Sequence, residues 1–159
     1  MHLNPKVGAD WMLPGQQKVV VTPGQNVKRY LAGALEVRRG RVQWVTAAHK
    51  RSGLFIDLLR KIARAYATAR VIHVIVDNYS IHSSRQTQLA LASLPRLRLH
   101  FLPPYCPELN AIERVWLDLH AEVTRNHRCA TIAELMIEVH DYLRYRNRTR
   151  LRQRPQAVA

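Results

Sequence analysis

"RVIHVIVDN", Arg70 to Asn78, is the stretch that decides the architecture. Residues 70–76 are a short, nearly continuous apolar run, the pattern of a strand buried on both faces, and Asp77 stands at its C-terminal end. Upstream, "QKVVVT" (17–22), "RYLAGALEV" (29–37) and "RVQWVT" (41–46) are rich in β-branched and aromatic residues. "PGQN" (23–26) and "RRG" (38–40) separate them as turns, so these three segments read as an antiparallel meander. In "SGLFIDLLRKIARAYA", Leu54, Phe55, Leu58, Leu59, Ile62 and Tyr66 share one helical face, with Ser52 placed to cap its start. Downstream, a weaker helix is expected around 83–93, then a strand "LRLHFL" (97–102). From Glu108, Leu109, Ile112, Trp116, Leu119 and Val123 repeat at helical spacing. Thr131 and Glu134 are spaced as a capping box ahead of Leu135, Met136, Val139 and Leu143. A meander followed by alternating helices and strands predicts an α/β fold: a mixed sheet, antiparallel then parallel, covered by helices.

The totals suit one domain and point to its partner. The chain has 159 residues, 47% hydrophobic and 23% charged, ordinary values for a globular protein. The charge balance is not ordinary: 25 Lys+Arg against 11 Asp+Glu leave +14, which favours polyanions, above all nucleic acid. The apolar runs are too short to span a bilayer, and "MHLNPKVG" lacks the apolar stretch of a signal peptide, so a cytoplasmic protein is expected. Cys106 and Cys129 form no C-x-x-C pair and are expected to stay reduced.

Two carboxylates carry the chemistry. Acidic side chains at the C-terminal ends of strands in such sheets face the crevice where ligands bind, which is where Asp77 falls. Taken alone, an aspartate after a strand is as readily a turn former or helix cap. Glu113, separated from it by the 35 residues 78–112, sits beside an apolar helical stripe and alone would read as a solvated flank. Its approach is unusual. In "LPPYCPELNAIERVW" (102–116), Pro103, Pro104 and Pro107 each fix φ and remove a donor, giving a stiff loop. Asn110, Glu113, Arg114 and Leu117 follow helical spacing, so Asn110 and Arg114 flank the carboxylate. A rigid loop delivering a carboxylate at a fixed angle suits a magnesium site, and equally a clean strand end. The eight histidines show no zinc spacing.

"VIVDNYSIHSS" followed by "HFLPPYCPELNAIERVW" resembles the core signature of the mariner-related bacterial insertion-sequence transposases, DDE endonucleases with an RNase H-like fold. "LNPKVGADWMLPGQQKVVVTPGQN" and "YLAGAL" resemble that family's strand-hairpin region, so the likeness runs from Leu3 to about Tyr145. It implies that Asp77 and Glu113 are the second and third acidic residues of a catalytic triad. Mg²⁺ or Mn²⁺ would be the cofactor in metal-dependent cleavage and strand transfer of DNA. Asn78, His82, Asn110 and Arg114 match the pattern as supporting residues, with a local structural hydrogen bond the alternative for His82. The partners implied are the transposon ends and target DNA, with a homodimer or association with a full-length transposase, in the nucleoid-associated cytoplasm.

The sequence departs from the family at its start. The first triad aspartate would fall a few residues before Met1; Asp10 and Asp57, the aspartates preceding Asp77, fit that role poorly. The chain therefore reads as an RNase H-like catalytic domain over 1–143 with its opening strand truncated, a C-terminal piece of a transposase or a reading frame begun late. Little or no cleavage is expected of it. The rival class is a non-catalytic, basic DNA-binding remnant. Residues 144–159 form a basic tail in which Arg144, Arg146, Arg148, Arg150, Arg152 and Arg154 recur at every second position. Such a flexible polycation neutralises phosphates without reading base sequence.

Overall fold

Two β-strand pairs and one helix frame the site. The computed structural model describes the chain except Lys6, Ala9, Asp10, Gln17, Lys18, Val21, Tyr105, Pro107, Glu108 and residues 153–159, and the side chains of 150–152. Its elements are β1 (Tyr30–Glu36), β2 (Arg41–Ala47), α1 (Ser52–Ala65), β3 (Ile72–Val76), α2 (Ser80–Ser83), α3 (Arg85–Ala92), β4 (Leu97–Phe101), α4 (Ile112–Leu119) and α5 (Ile132–Arg152), with a π-helical turn at His120–Thr124. The chain divides into two compact units, Tyr30–Glu113 and Met1–Arg29 with Arg114–Ala159.

In the unit Tyr30–Glu113, β1 and β2 pair antiparallel from Tyr30↔Ala47 to Glu36↔Arg41. Gly40 closes the hairpin at φ 67°, a conformation that would strain an L side chain, and its N–H donates to the Glu36 carbonyl at 2.7 Å. β3 and β4 pair in parallel from Ile72↔Leu97 to Val76↔Phe101. Among the described residues no ladder joins the two pairs, so the antiparallel and parallel parts of the expected mixed sheet stand as separate two-stranded sheets. Helix α1 unites them. Its Phe55, Leu58, Leu59, Ile62 and Ala63 are buried with Val74, Val76 and Leu97, and Ala32, Ala34 and Val45 pack on the same cluster. A helix with one wide apolar stripe holds both sheets because each presents it one apolar face.

Arg96 fastens the far end of α1. Its Nη1 donates to the carbonyls of Tyr66, Ala67 and Ala69 at 2.9, 2.8 and 2.9 Å, and its Nη2 to Ala63 at 3.0 Å. The carbonyls left over at a helix C-terminus thus find one cation. The Arg96 carbonyl accepts from the Ile72 N–H at 2.7 Å, tying the same residue to the start of β3.

Several expectations need correction. Val19, Val20 and Thr22, the described part of 17–22, form no strand, so among the described residues the meander is a hairpin. The only isolated bridge among the described residues there is His2↔Lys28, and a β-prone segment without a partner edge has nowhere to place its backbone hydrogen bonds. β3 is buried on one face only: Val74 and Val76 are buried, while Ile75 is 57% exposed. A run of apolar residues cannot reveal how many layers cover a strand. Ser52 is the first residue of α1 rather than its cap; the N-cap is Arg51, with no side-chain bond, and Ser52 Oγ instead meets Ser84 Oγ at 2.8 Å. The weaker helix expected around 83–93 is present as α3, capped by Ser84, which accepts from the Thr87 N–H at 3.3 Å, and the short α2 precedes it.

In the unit of Met1–Arg29 and Arg114–Ala159, Leu3, Val115, Leu119, Leu135, Met136, Val139 and Leu143 are buried. Val115 therefore belongs to the stripe, whereas Leu109 is exposed and Glu108 lies outside the described residues. Asn126, at φ 56°, accepts from the Gly8 N–H at 2.9 Å through Oδ1. The capping box forms: Glu134 N–H donates to Thr131 Oγ1 at 3.2 Å, and Glu134 Oε2 accepts from the Ala130 N–H at 2.9 Å. Helix α5 continues through the arginine-rich segment to Arg152, so Arg144, Arg146 and Arg148 are spread around a helix instead of lining an extended chain. The side chains of Arg150 and Arg152, and all of Arg154, lie outside the described residues.

Candidate active site

Asp77 follows the last residue of β3, and the ladder continues past it: the Leu102 N–H donates to the Val76 carbonyl at 2.8 Å. Asn78 Nδ2 donates to the Leu102 carbonyl at 2.7 Å. The ends of β3 and β4 are thus fixed to each other on either side of Asp77. The carboxylate is fixed in turn. Its Oδ1 accepts from the Tyr79 N–H at 3.1 Å, an Asx-type turn, and lies 2.9 Å from His82 Nδ1. His82 Nδ1 is also 3.0 Å from the Asp77 carbonyl oxygen. Both neighbours of that nitrogen can only accept, so Nδ1 carries the proton. Asp77 Oδ2 has no hydrogen-bond partner among the described residues.

His82 can hold this position because its ring is wedged. Phe55 of α1 lies 4.3 Å from it, centroid to centroid, and Tyr79 meets it edge-on at 6.2 Å. The His82 side chain is only 15% exposed, whereas Asp77 is 53% exposed. A half-buried imidazole holding an exposed carboxylate orients it while leaving one oxygen to solvent. The turn former and the ligand candidate are here the same residue.

Glu113 arrives from the other direction, in the first turn of α4. Its N–H donates to the Asn110 carbonyl at 2.9 Å, so Asn110 acts through its backbone in setting this turn. Pro103 and Pro104 lie in coil ahead of it, and Pro107 is outside the described residues. The Glu113 carboxyl titrates above its ordinary value, first because it is partly desolvated and second because the Asp77 charge opposes its own. Glu113 takes part in no ion pair among the described residues. A carboxylate that feels the charge of another and has no described ion-pair partner suits a divalent ion. Among the described residues no group of three or more His, Cys, Asp or Glu side chains is arranged to hold one.

Of the other predicted residues, Arg114 is exposed on α4, and Asp57 lies on the exposed side of α1, 3.6 Å from Arg60. Asp10 falls outside the described residues. Sequence reasoning missed Tyr79, two residues past Asp77, and the cation over its ring. The Lys50 ammonium lies 3.8 Å from the centroid of the Tyr79 ring. Tyr79 stood in plain view within "DNYSIH", but Lys50 is 29 positions upstream of it and nothing local marked it. No described helix is long and apolar enough to cross a membrane.

Comparison with known proteins places these features. Residues 1–136 match the family model described as DDE superfamily endonuclease. Over 143 residues the chain is 50% identical to the "Insertion element IS630 uncharacterized 39 kDa protein" of Shigella sonnei, covering 90% of this chain and 42% of that protein. The chain thus spans less than half of that relative. Among solved structures, the Mos1 transposase paired-end complex with left transposon end aligns over 94% of this chain and 48% of its own, with a TM-score of 0.60 at 16% identity. The simian T-cell lymphotropic virus intasome in complex with the PP2A regulatory subunit B56 gamma aligns over 69% and 40%, at 0.52 and 19%. At these identities the likeness is one of fold: the RNase H-like fold of transposase and integrase catalytic domains.

Proposed function

We propose, since this chain belongs to the DDE superfamily endonuclease family, that it is the catalytic part of an insertion-sequence transposase, with Asp77 and Glu113 as its metal-binding carboxylates. The observation that carries this reading is the pair itself: Asp77, held through Oδ1 by His82 and the Tyr79 N–H, lies near enough to Glu113 for its charge to help raise the Glu113 pKa. Mg²⁺ or Mn²⁺, when bound, supplies charge neutralisation for an attacked phosphodiester and a lowered pKa for bound water. The chain's own residues do the rest. His82 and the Tyr79 N–H grip Asp77 Oδ1 and leave Oδ2 for a ligand; Asn78 locks the strand ends; Asn110 sets the turn that presents Glu113. Arg114 and the arginines of 144–154 supply positive charge for the DNA backbone. Residues 1–143 would form the catalytic domain and 144–159 the basic end.

Two carboxylates give weaker metal binding than three, so the 159 residues alone should cut DNA little or not at all. The +14 charge supports the second reading, a basic DNA-binding remnant able to join an intact transposase or a second copy, in the cytoplasm with the nucleoid. Metal binding separates the two. Calorimetric titration with Mn²⁺ should detect a site in the native chain that weakens at least about tenfold in Asp77→Asn and in Glu113→Gln. If Mn²⁺ does not bind while duplex DNA binds equally well in chelator, the remnant reading stands. Metal-dependent strand cleavage abolished by Asp77→Ala would overturn the expectation of inactivity.

A further inference from the structure

Beside the proposed metal site lies a feature that its carboxylate chemistry does not use. Tyr79 is two residues past Asp77, and its backbone N–H holds Asp77 Oδ1. Its ring is nevertheless turned outward, with the residue 42% exposed. Over that ring sits the ammonium of Lys50, 3.8 Å from the centroid, from the exposed connection between β2 and α1. The ring's orientation is set from within, because His82 meets it edge-on at 6.2 Å and is itself wedged against Phe55 at 4.3 Å. A flat aromatic surface is therefore held beside a carboxylate of the site, with an exposed cation over it.

We infer that Tyr79 and Lys50 form a stacking platform and phosphate clamp for an unpaired DNA nucleotide adjoining the phosphodiester at the Asp77–Glu113 site. This rests on the reading of that site as one that acts on DNA. Every base has a π-face, so a rigid exposed aromatic ring beside a cation is what holds an unstacked nucleotide without reading its sequence. Lys50 is suited to give way: an exposed cation–π contact is weak, and the four-carbon stem lets the ammonium swing from the ring to a phosphate. The exchange uncovers the ring face as the base arrives. A paired base presents no free face, so the platform favours frayed or single-stranded ends over blunt duplex. Tyr79 and Lys50 are thus positioning residues, acting on the strand and not on the reacting atoms.

The test uses the full chain in chelator, with a short DNA duplex carrying a three-nucleotide 3′ overhang and 2-aminopurine at the first unpaired position. A blunt duplex of the same sequence is the control. Binding should quench the 2-aminopurine fluorescence, and the overhang should bind about 5- to 100-fold tighter than the blunt end. Tyr79→Ala should abolish both the quench and the preference, and Tyr79→Trp should restore them. Lys50→Met should keep the quench and lower the slope of log affinity against log salt by about 0.7–0.9. An unquenched probe with the native chain, or a preference that survives Tyr79→Ala, overturns the inference. Mn²⁺ titration of Tyr79→Ala keeps the two readings apart. Metal binding without overhang preference in the native chain sinks the platform alone; overhang preference without metal binding sinks the metal site and leaves the platform standing.

Discussion

Replacing Arg96 by Met should destabilise the protein well beyond an ordinary surface change. One guanidinium serves four carbonyls at the end of α1, from Ala63, Tyr66, Ala67 and Ala69, at 2.8–3.0 Å. Because Nη1 has two N–H groups for three of those carbonyls, the set is worth about three full hydrogen bonds. A bond to a charged group contributes about 1.5–3 kcal/mol, but these three share one cation and are partly solvated, so a simple sum overstates them. We expect a loss of about 2–4 kcal/mol for Arg96→Met, which keeps much of the alkyl stem and removes the donors. That corresponds to a fall in Tm of about 4–16 °C for a chain of this size. Arg96→Lys keeps a cation at the helix C-terminus, worth about 0.3–1 kcal/mol, and should recover only that part because an ammonium cannot span the fork. Urea unfolding followed by circular dichroism measures both, and amide exchange at Ile72, which bonds the Arg96 carbonyl at 2.7 Å, reports whether β3 loosens with the helix end. A Met variant within about 0.5 kcal/mol of the native chain would refute the reasoning, since that is the range of surface changes touching nothing of consequence.

Other outcomes follow from single features. Asp77→Asn should move the Glu113 pKa part of the way down towards its ordinary value, removing the charge effect and leaving the desolvation, as read by ¹³C NMR of the carboxyl. The sign follows from linkage: a raised carboxyl pKa makes Glu113 favour the folded state below the ordinary value, and this is lost as pH rises through the folded one. An unmoved Glu113 would mean the two carboxylates do not interact. Burial, with a hydrogen bond to Glu138 and the charges of Glu138 and Glu134, pushes the Cys129 thiol up to about 11. At pH 8 only ~0.1% is then thiolate, so iodoacetamide should label Cys129 at least about a hundredfold more slowly than an ordinary cysteine; comparable labelling of Cys129 and Cys106 would contradict this. Asn126→Ala loses the Oδ1 bond from Gly8 and places alanine at φ 56°, for an expected cost of about 1–3 kcal/mol in urea unfolding.

Local patterns carried most of the fold. The stripe Leu54–Phe55–Leu58–Leu59–Ile62 is buried as its spacing requires, because side chains three and four apart share one face of a helix whatever lies opposite. The Thr131–Glu134 box likewise forms, since its partners lie within one turn. Where the expectation failed, the missing information lay elsewhere in the chain. Val19, Val20 and Thr22, the described part of 17–22, have strand composition, but strand formation needs a partner edge, and composition does not supply one. β3 is apolar enough for two covered faces, yet Ile75 is exposed because what covers a face depends on distant residues.

The site divides in the same way. The sequence by itself determined that an aspartate ends a strand and that a glutamate opens a helix after a proline-stiffened loop, because dihedral restriction and periodicity act between near neighbours. Only the tertiary structure decided that Glu113 feels the charge of Asp77, that His82 holds Oδ1 through a protonated Nδ1, and that Lys50 lies over Tyr79. Electrostatic and ring contacts fall off within a few ångströms, and distances that short between residues 5 to 36 positions apart are set by how α1 packs the strands beside it.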